Sequence, residues 1–252
     1  MARTVTPTSD RYRQLDDAQI LGTLTRLRDR INERFPDSGL GRVAGEVLAI
    51  NSETTAFVNY VRRPNWPLRI GAALTIAAMA VVLAVSVNSL RHSAGINGVA
   101  DLIQATDAAI STLAFLGATV YFLITLENRL KRRRALATLH QLRSVAHIVD
   151  MHQLTKDPEQ LSAARADTAS SPARDLTPFD LGRYLDYCSE LLAVISKLAA
   201  LHVQHFNDPV TLAAVNDIES LTTGLSNKMW QKITLLDSFR AHAVSTIAAR
   251  PR

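Results

Sequence analysis

Two long stretches without any charged residue interrupt the chain, one between Arg69 and Arg91 and the other between Asp107 and Glu127. At a rise of about 1.5 Å per residue, either stretch is long enough as a helix to cross a hydrocarbon core of about 30 Å. A helix also satisfies its own backbone polar groups there. The pattern predicts a two-pass transmembrane hairpin with spans at about residues 70–90 and 108–126. The alternative is a pair of helices buried in a water-soluble core.

On either side of these stretches, apolar residues recur every three or four positions, which is the period of an amphipathic helix. Two such segments precede the first span and are separated near Pro36, one continues from the second span toward Pro158, and two follow. The last two begin at Thr177 and Asp208, each a helix-capping residue followed by proline. We expect an all-α protein in which the five amphipathic segments form one helical bundle.

Three parts are predicted along the chain. Residues 1–66 form cytoplasmic amphipathic helices, residues 67–128 form the transmembrane hairpin, and residues 129–252 form a second cytoplasmic helical region. Within the third part, residues 155–178 contain three prolines and no aromatic residue. That composition predicts a mobile loop.

Cations concentrate at one end of each span, whereas the loop between the spans has a single arginine against two aspartates. By the positive-inside rule, both termini lie in the cytoplasm. The densest cluster, LKRRR, falls at the depth of lipid headgroups, so the formal charge of +5 indicates a lipid bilayer as partner and not nucleic acid. The predicted membrane-interface residues are Arg62, Arg63, Trp66, Arg69, Arg129, Lys131, Arg132, Arg133 and Arg134.

A distinctive polar pattern lies in the helix that follows the second span. Spacings of three and four residues place His140, Arg143, His147 and Asp150 on one stripe of that helix, next to an apolar stripe. A carboxylate three residues after a histidine can orient the imidazole, so His147 and Asp150 are candidates for the general-base pair of a hydrolase. The simpler interpretation is a polar face that is solvated or contacts another helix or a protein partner.

A second group combines His202, His205 and Asp208 at a helix end. These side chains could converge on a metal ion, but the preference of a helix C-terminus for cations and a capping role for Asp208 explain the same residues. We therefore predict no metal and no cofactor. The single cysteine, Cys188, excludes a disulfide scaffold, and the sequence has no phosphate-binding glycine loop, nucleophile elbow or paired-cysteine zinc motif. No motif makes a positive case for an enzyme.

The two spans contain no ionisable residue, which argues against a proton-coupled carrier. Hydroxyl groups could instead line a pore within a homo-oligomer. The candidates are Thr112 and Thr119, seven residues apart on one face of the second span, and Ser111 beside them. The alternative is that the small residues next to them allow close helix packing without a pore.

A two-pass hairpin whose second span continues into the basic helix ENRLKRRRALATLHQLR resembles the SLATT-type two-transmembrane proteins of bacteria over about residues 66–152. That resemblance implies an inner-membrane effector that oligomerises and permeabilises the membrane when a partner or an attached sensor activates it. The sequence has no nucleotide-sensing module, so the cytoplasmic helices would be the regulatory part. The segments AHIVDMHQLTKDPE, YLDYCSELL and LTTGLSNKMWQKI are also similar to a family of uncharacterised bacterial membrane proteins with two transmembrane helices, which implies no activity.

The leading hypothesis is a multi-pass protein of the bacterial inner membrane that self-associates and whose cytoplasmic bundle controls a pore or a membrane-permeabilising hairpin. Two alternatives stay open. One is a membrane-anchored scaffold that binds a cytoplasmic protein partner, and the other is a membrane-tethered hydrolase that uses His147 and Asp150.

Overall fold

The computed structural model describes residues 13–62, 66–92, 99–158, 169 and 176–248. These residues form six helices and no strand, which confirms the all-α prediction. They divide into two compact units, one within Met1–Tyr60 and Arg134–Arg252, called the bundle, and one within Val61–Arg133, called the apolar unit. The helices are α1 (Asp17–Arg34), α2 (Gly39–Arg62), α3 (Trp66–His92), α4 (Val99–Leu154), α5 (Pro178–His205) and α6 (Pro209–Ala248).

The bundle has one hydrophobic core to which five helices contribute. Leu24 of α1, Leu40 of α2, Leu142 of α4, Leu192 of α5 and Met229 of α6 are all completely buried in it. Burial of one such side chain contributes about 1.5–3 kcal/mol relative to its exposure. The predicted bundle of five amphipathic segments is therefore confirmed, and its core forms within a single chain.

The central helix of the bundle is α5, which packs against both α1 and α6. Near the start of α1, the side-chain amide of Gln204 bonds both backbone groups of Leu15. The Leu15 N–H donates to Oε1 at 2.8 Å, and Nε2 donates to the Leu15 carbonyl at 3.1 Å. Toward the other end of α1, Arg30 pairs with Glu190. These two links fix α1 along the length of α5.

Side-chain caps define where several helices begin. The carboxylate of Asp16 accepts from the Ala18 N–H at 2.9 Å at the start of α1. The hydroxyl of Thr177 accepts from the Asp180 N–H at 3.1 Å, with proline at the first position of α5. The Asp208 carboxylate accepts from both the N–H and the hydroxyl of Thr211, each at 2.9 Å, at the start of α6. The two caps predicted from the sequence, Thr177 and Asp208, are present.

The apolar unit contains α3 and the first part of α4. Within the described residues, one helix segment, Ile110–Leu154, is long and apolar enough to cross a membrane by length and composition, and none of its apolar window is buried. The apolar stretch found in α3, Ile70–Val82, is shorter. One described helix segment therefore has the length and composition of a membrane span, while the second span and the orientation of the termini stay predictions.

Parts of the sequence predictions fall outside the described residues. Most of the predicted mobile loop at 155–178 lies there, as does Arg63. Arg69 belongs to α3, but its side chain is not among those described. The last residue of the predicted loop, Pro178, is the first residue of α5.

Replacement of Asp208 by alanine removes the cap of α6 and leaves the Thr211 N–H without its carboxylate acceptor. We expect the variant to lose about 1 kcal/mol of unfolding free energy, measured by chemical denaturation of the full chain in detergent. Asp217→Ala, at an exposed position within α6, is the matched control and should change that free energy by less than about 0.5 kcal/mol. Equal losses in the two variants would contradict the capping role.

Candidate functional site

The last turn of α4 and the residues just after it, Asp150–Lys156, meet α2 and α6, and we call this region the α4 terminus. From α6, the Lys232 ammonium donates to the backbone carbonyls of Gln153 at 3.1 Å and of Lys156 at 3.2 Å. Carbonyls at a helix end lack the donors that a helix interior provides, so the ammonium group stabilises the end of α4. Burial lowers the pKa of Lys232, and the nearby carboxylate of Asp157 opposes that effect.

From α2, Gly39 lies against the ring of His152 at the α4 terminus. A Cβ at Gly39 would overlap this ring. Burial lowers the pKa of His152, and the positive charges of Arg42 and Lys156 lower it further. The neutral imidazole is therefore the form that fits this position.

The polar stripe of α4 lies on its exposed side. His140, Arg143 and His147 are exposed, whereas Leu139 and Leu142 on the opposite side are buried. None of the three polar side chains forms an ion pair within the described part of the chain. Their charge and hydrogen-bonding groups are available to a partner.

The predicted general-base pair is not assembled in this structure. The carboxylate of Asp150 accepts from Nε2 of Gln153 at 2.7 Å, and no hydrogen bond joins it to His147 among the described side chains. His147 itself is exposed. The hydrolase hypothesis therefore gains no geometric support.

The three side chains considered for a metal ion each make contacts within the chain. His202 is completely buried, its Nδ1 lies 3.1 Å from the Leu198 carbonyl, and its ring stacks on Phe57 of α2 with centroids 4.9 Å apart. The Asp208 carboxylate caps α6, and Nε2 of His205 lies 3.4 Å from the Gln204 amide. No group of three or more potential metal ligands occurs within the described residues. The capping role expected for Asp208 is therefore present, and His202 packs between α5 and α2.

The cations predicted to lie at a membrane interface differ in their surroundings. The guanidinium of Arg134 lies 4.1 Å from the centre of the Tyr60 ring, and Lys131 pairs with Glu127 at 2.6 Å. Arg62 and Arg132 also have partners. The exposed residues of the set are Arg62, Trp66, Arg129, Arg133 and Arg134. Lys131 and Arg134 therefore make contacts within the chain as well as carrying charge.

The three candidate pore-lining hydroxyls all lie on the described part of α4. Ser111 is exposed, and Thr112 and Thr119 are partly exposed. Phe115 and Phe122, on the same helix, are also exposed. The surface of this segment therefore presents both hydroxyl groups and large apolar groups to whatever surrounds it.

Comparisons with known proteins give no match, since no family model, no curated protein and no solved structure is similar to this chain. The resemblance to bacterial two-transmembrane proteins stays a prediction.

Sequence reasoning missed the contacts that build the α4 terminus. Lys232 stands alone among apolar residues in the repeat of α6, and that isolated cation was the available signal for a buried capping role. Gly39 had no comparable signal, because a glycine near a turn is common. Phe57 and His202 are both in predicted amphipathic helices, but their stacking depends on how those helices pack.

Burial lowers the pKa of His202 below its ordinary value of 6.5, so the unfolded chain takes up a proton at a higher pH than the folded bundle does. The stability that neutral His202 provides is complete above about pH 6.5 and is lost as the pH falls through the folded-state pKa. We expect the free energy of unfolding to fall between about pH 7.5 and pH 5, and to fall less in His202→Phe, which cannot titrate.

Denaturant titrations of the full chain in detergent at the two pH values measure this effect. His140→Gln, which removes an exposed histidine, is the control and should keep the pH dependence of the natural chain. An identical pH dependence in His202→Phe and the natural chain would show that His202 does not contribute.

Proposed function

We propose that the chain is a bacterial inner-membrane protein that self-associates and whose cytoplasmic bundle controls a pore or a membrane-permeabilising hairpin. The observation that carries the proposal is the composition of α4. This single helix, Val99–Leu154, has an apolar part that is not buried within the chain and an end that is packed in the bundle core. A helix with both properties is suited to pass a change in the bundle to a membrane span.

The apolar part of α4 supports a lipid bilayer as partner. Phe115 and Tyr121 are 70% and 73% exposed, and Ile110, Leu113 and Phe122 are exposed as well. In water this much contiguous apolar surface is unfavourable, at about 25 cal/mol per Å². In the proposed arrangement, α3 and α4 cross the membrane at about residues 70–90 and 108–126, with both termini cytoplasmic.

The packed end of α4 supports control by the bundle. Leu139, Leu142 and Val149 are buried against the other bundle helices, and Lys232 stabilises the carbonyls at the terminus. Rearrangement of the bundle cannot leave these contacts unchanged, because packed cores respond in discrete steps and not by continuous deformation. In this proposal the bundle moves the end of α4, and an oligomer of spans opens a path lined by Ser111, Thr112 and Thr119.

Ion flux from liposomes that contain the purified full chain tests the pore. We expect flux with the natural chain and its loss in Thr112→Leu/Thr119→Leu, because leucine removes hydroxyls that keep a narrow path wetted. Ile110→Leu/Ala114→Leu adds leucine to the opposite face of the same helix and should keep the flux. Absence of flux from folded, inserted natural chain, or equal loss in both double variants, would contradict a pore lined by these threonines.

A second candidate function is a membrane-anchored scaffold, and one observation favours it. Met151 and Leu154, at the end of α4, are 67% and 62% exposed, the two largest exposures among the large apolar residues described in the bundle. By helical spacing they lie on the same face of α4 as the exposed side chains of His140, Arg143 and His147. A face that combines unpaired positive and polar groups with exposed apolar groups suits an acidic amphipathic helix of a cytoplasmic protein.

Crosslinking from Met151 tests the scaffold. Burial raises the pKa of the Cys188 thiol to about 12, so a maleimide photo-crosslinker attaches selectively to Met151→Cys. We expect one discrete adduct with a second protein in membranes, lost when Arg143→Glu is added. Asn227→Cys, at an exposed position of α6, is the control and should give no such adduct. An adduct that persists after charge reversal, or one of twice the chain's mass, would argue against an acidic partner.

A further inference from the structure

The start of α2 lies directly against the ring of His152 at the α4 terminus. A Cβ added to Gly39, the first residue of α2, would lie 2.9 Å from Nδ1 of His152 and closer still to Cε1. Real Cβ atoms essentially never come that near to another group, so glycine is what leaves room for the ring. This contact holds the beginning of α2 on the end of α4.

Two cations flank the contact. Arg42, within the first turn of α2, donates to the backbone carbonyl of Asp37 at 3.2 Å. Lys156, just after α4, has its Nζ 5.7 Å from the centre of the Tyr184 ring of α5. Both positive charges add to the effect of burial in lowering the pKa of His152.

The third cation, Lys232 of α6, occupies the backbone carbonyls at the end of α4. That is the negative end of the helix, which would otherwise favour a protonated histidine in the last turn. The acids of this region, Asp150 and Asp157, act on Lys232, and Asp150 also accepts a hydrogen bond from Gln153. Neither acid contributes to the pKa shift of His152.

We propose that His152 is a proton-sensitive latch: its neutral ring holds the start of α2 against the α4 terminus, and protonation releases that contact. The imidazolium would add a positive charge beside Arg42 and Lys156, at a helix end whose carbonyls already accept from Lys232. It would also face the positive end of α2, next to Gly39. The latch itself does not depend on a pore, whereas its consequence, control of α4 by acid, rests on the proposed function.

A fall in pH is expected to release the contact between His152 and the start of α2. Because the pKa of His152 in the folded bundle lies below the ordinary 6.5, the latched form is fully favoured above about pH 6.5. The released form gains population as the pH falls through the folded-state pKa. Once the pH is below the pKa of His152 in both the latched and the released forms, the gain in the released form is constant. Its size is about tenfold for each unit by which the latched form lowers the pKa.

Hydrogen exchange of the backbone amides at residues 40–45 tests the latch in the full chain in detergent. Protection factors, which correct for the intrinsic pH dependence of exchange, are compared at about pH 7.5 and pH 5.5. We expect a drop in the natural chain at the lower pH, with an upper limit of about tenfold because pH 5.5 lies about one unit below the ordinary pKa of histidine. His152→Gln should have the same protection at both pH values, because glutamine does not titrate.

His147→Gln is the matched control on the same helix and should keep the drop, because His147 is exposed and its side chain forms no hydrogen bond or ion pair within the described residues. Gly39→Ala displaces the ring and should show low protection at both pH values. If His152→Gln fails to fold, an NMR titration of the His152 ring in the natural chain serves in its place. The chemical shifts of the ring should change over the same pH range as the amide protection is lost.

Unchanged protection in the natural chain, or a drop that persists in His152→Gln, would overturn the latch. These measurements need no flux, so the two proposals fail separately. Responsive amides without liposome flux would reject the pore and keep the latch. Flux with unresponsive amides would reject the latch and keep the pore.

Discussion

The helix α4 runs without interruption through two regions in which its side chains are packed differently. In α4, side chains such as Phe115 are exposed, whereas Leu142 and Val149 are buried among four other helices. An α-helix supplies its own backbone hydrogen bonds in lipid and in a protein core alike, so in the proposed membrane arrangement the backbone of α4 need not change along its length. The bundle must hold the end of this helix firmly, because any loose end would leave apolar side chains and unpaired carbonyls in water.

Besides the buried apolar side chains, an electrostatic contact holds that end in the bundle. Lys232 reaches across from α6 to the last carbonyls of α4, and its ammonium group replaces the donors that the helix itself no longer provides. The same arrangement concentrates positive charge, since Arg42 and Lys156 lie close to His152. A terminus stabilised by cations has little tolerance for one more, which is why the protonation state of one histidine carries weight there.

Local features of the fold could be predicted from the sequence, and contacts between distant segments could not. The caps at Thr177 and Asp208 depend on residues three positions away and were predicted correctly. The five amphipathic segments follow from apolar spacing alone, and their common core is present. The packing of Gly39 on His152 joins residues far apart in the chain, which no local pattern encodes. The surroundings of His202 could not be predicted for the same reason, because its ring stacks on Phe57 from a distant segment of the chain.

Two histidines hold α2, one near each end. The ring of His152 lies on Gly39 at the first residue of α2, and the ring of His202 stacks on Phe57 near its last turn. Burial lowers the pKa of both rings, so both contacts favour the neutral form and both weaken in acid. The exposed His140 and His147 of α4 have no such packing. Acid therefore acts on α2 from two sides, and α2 is the helix that precedes the first predicted span.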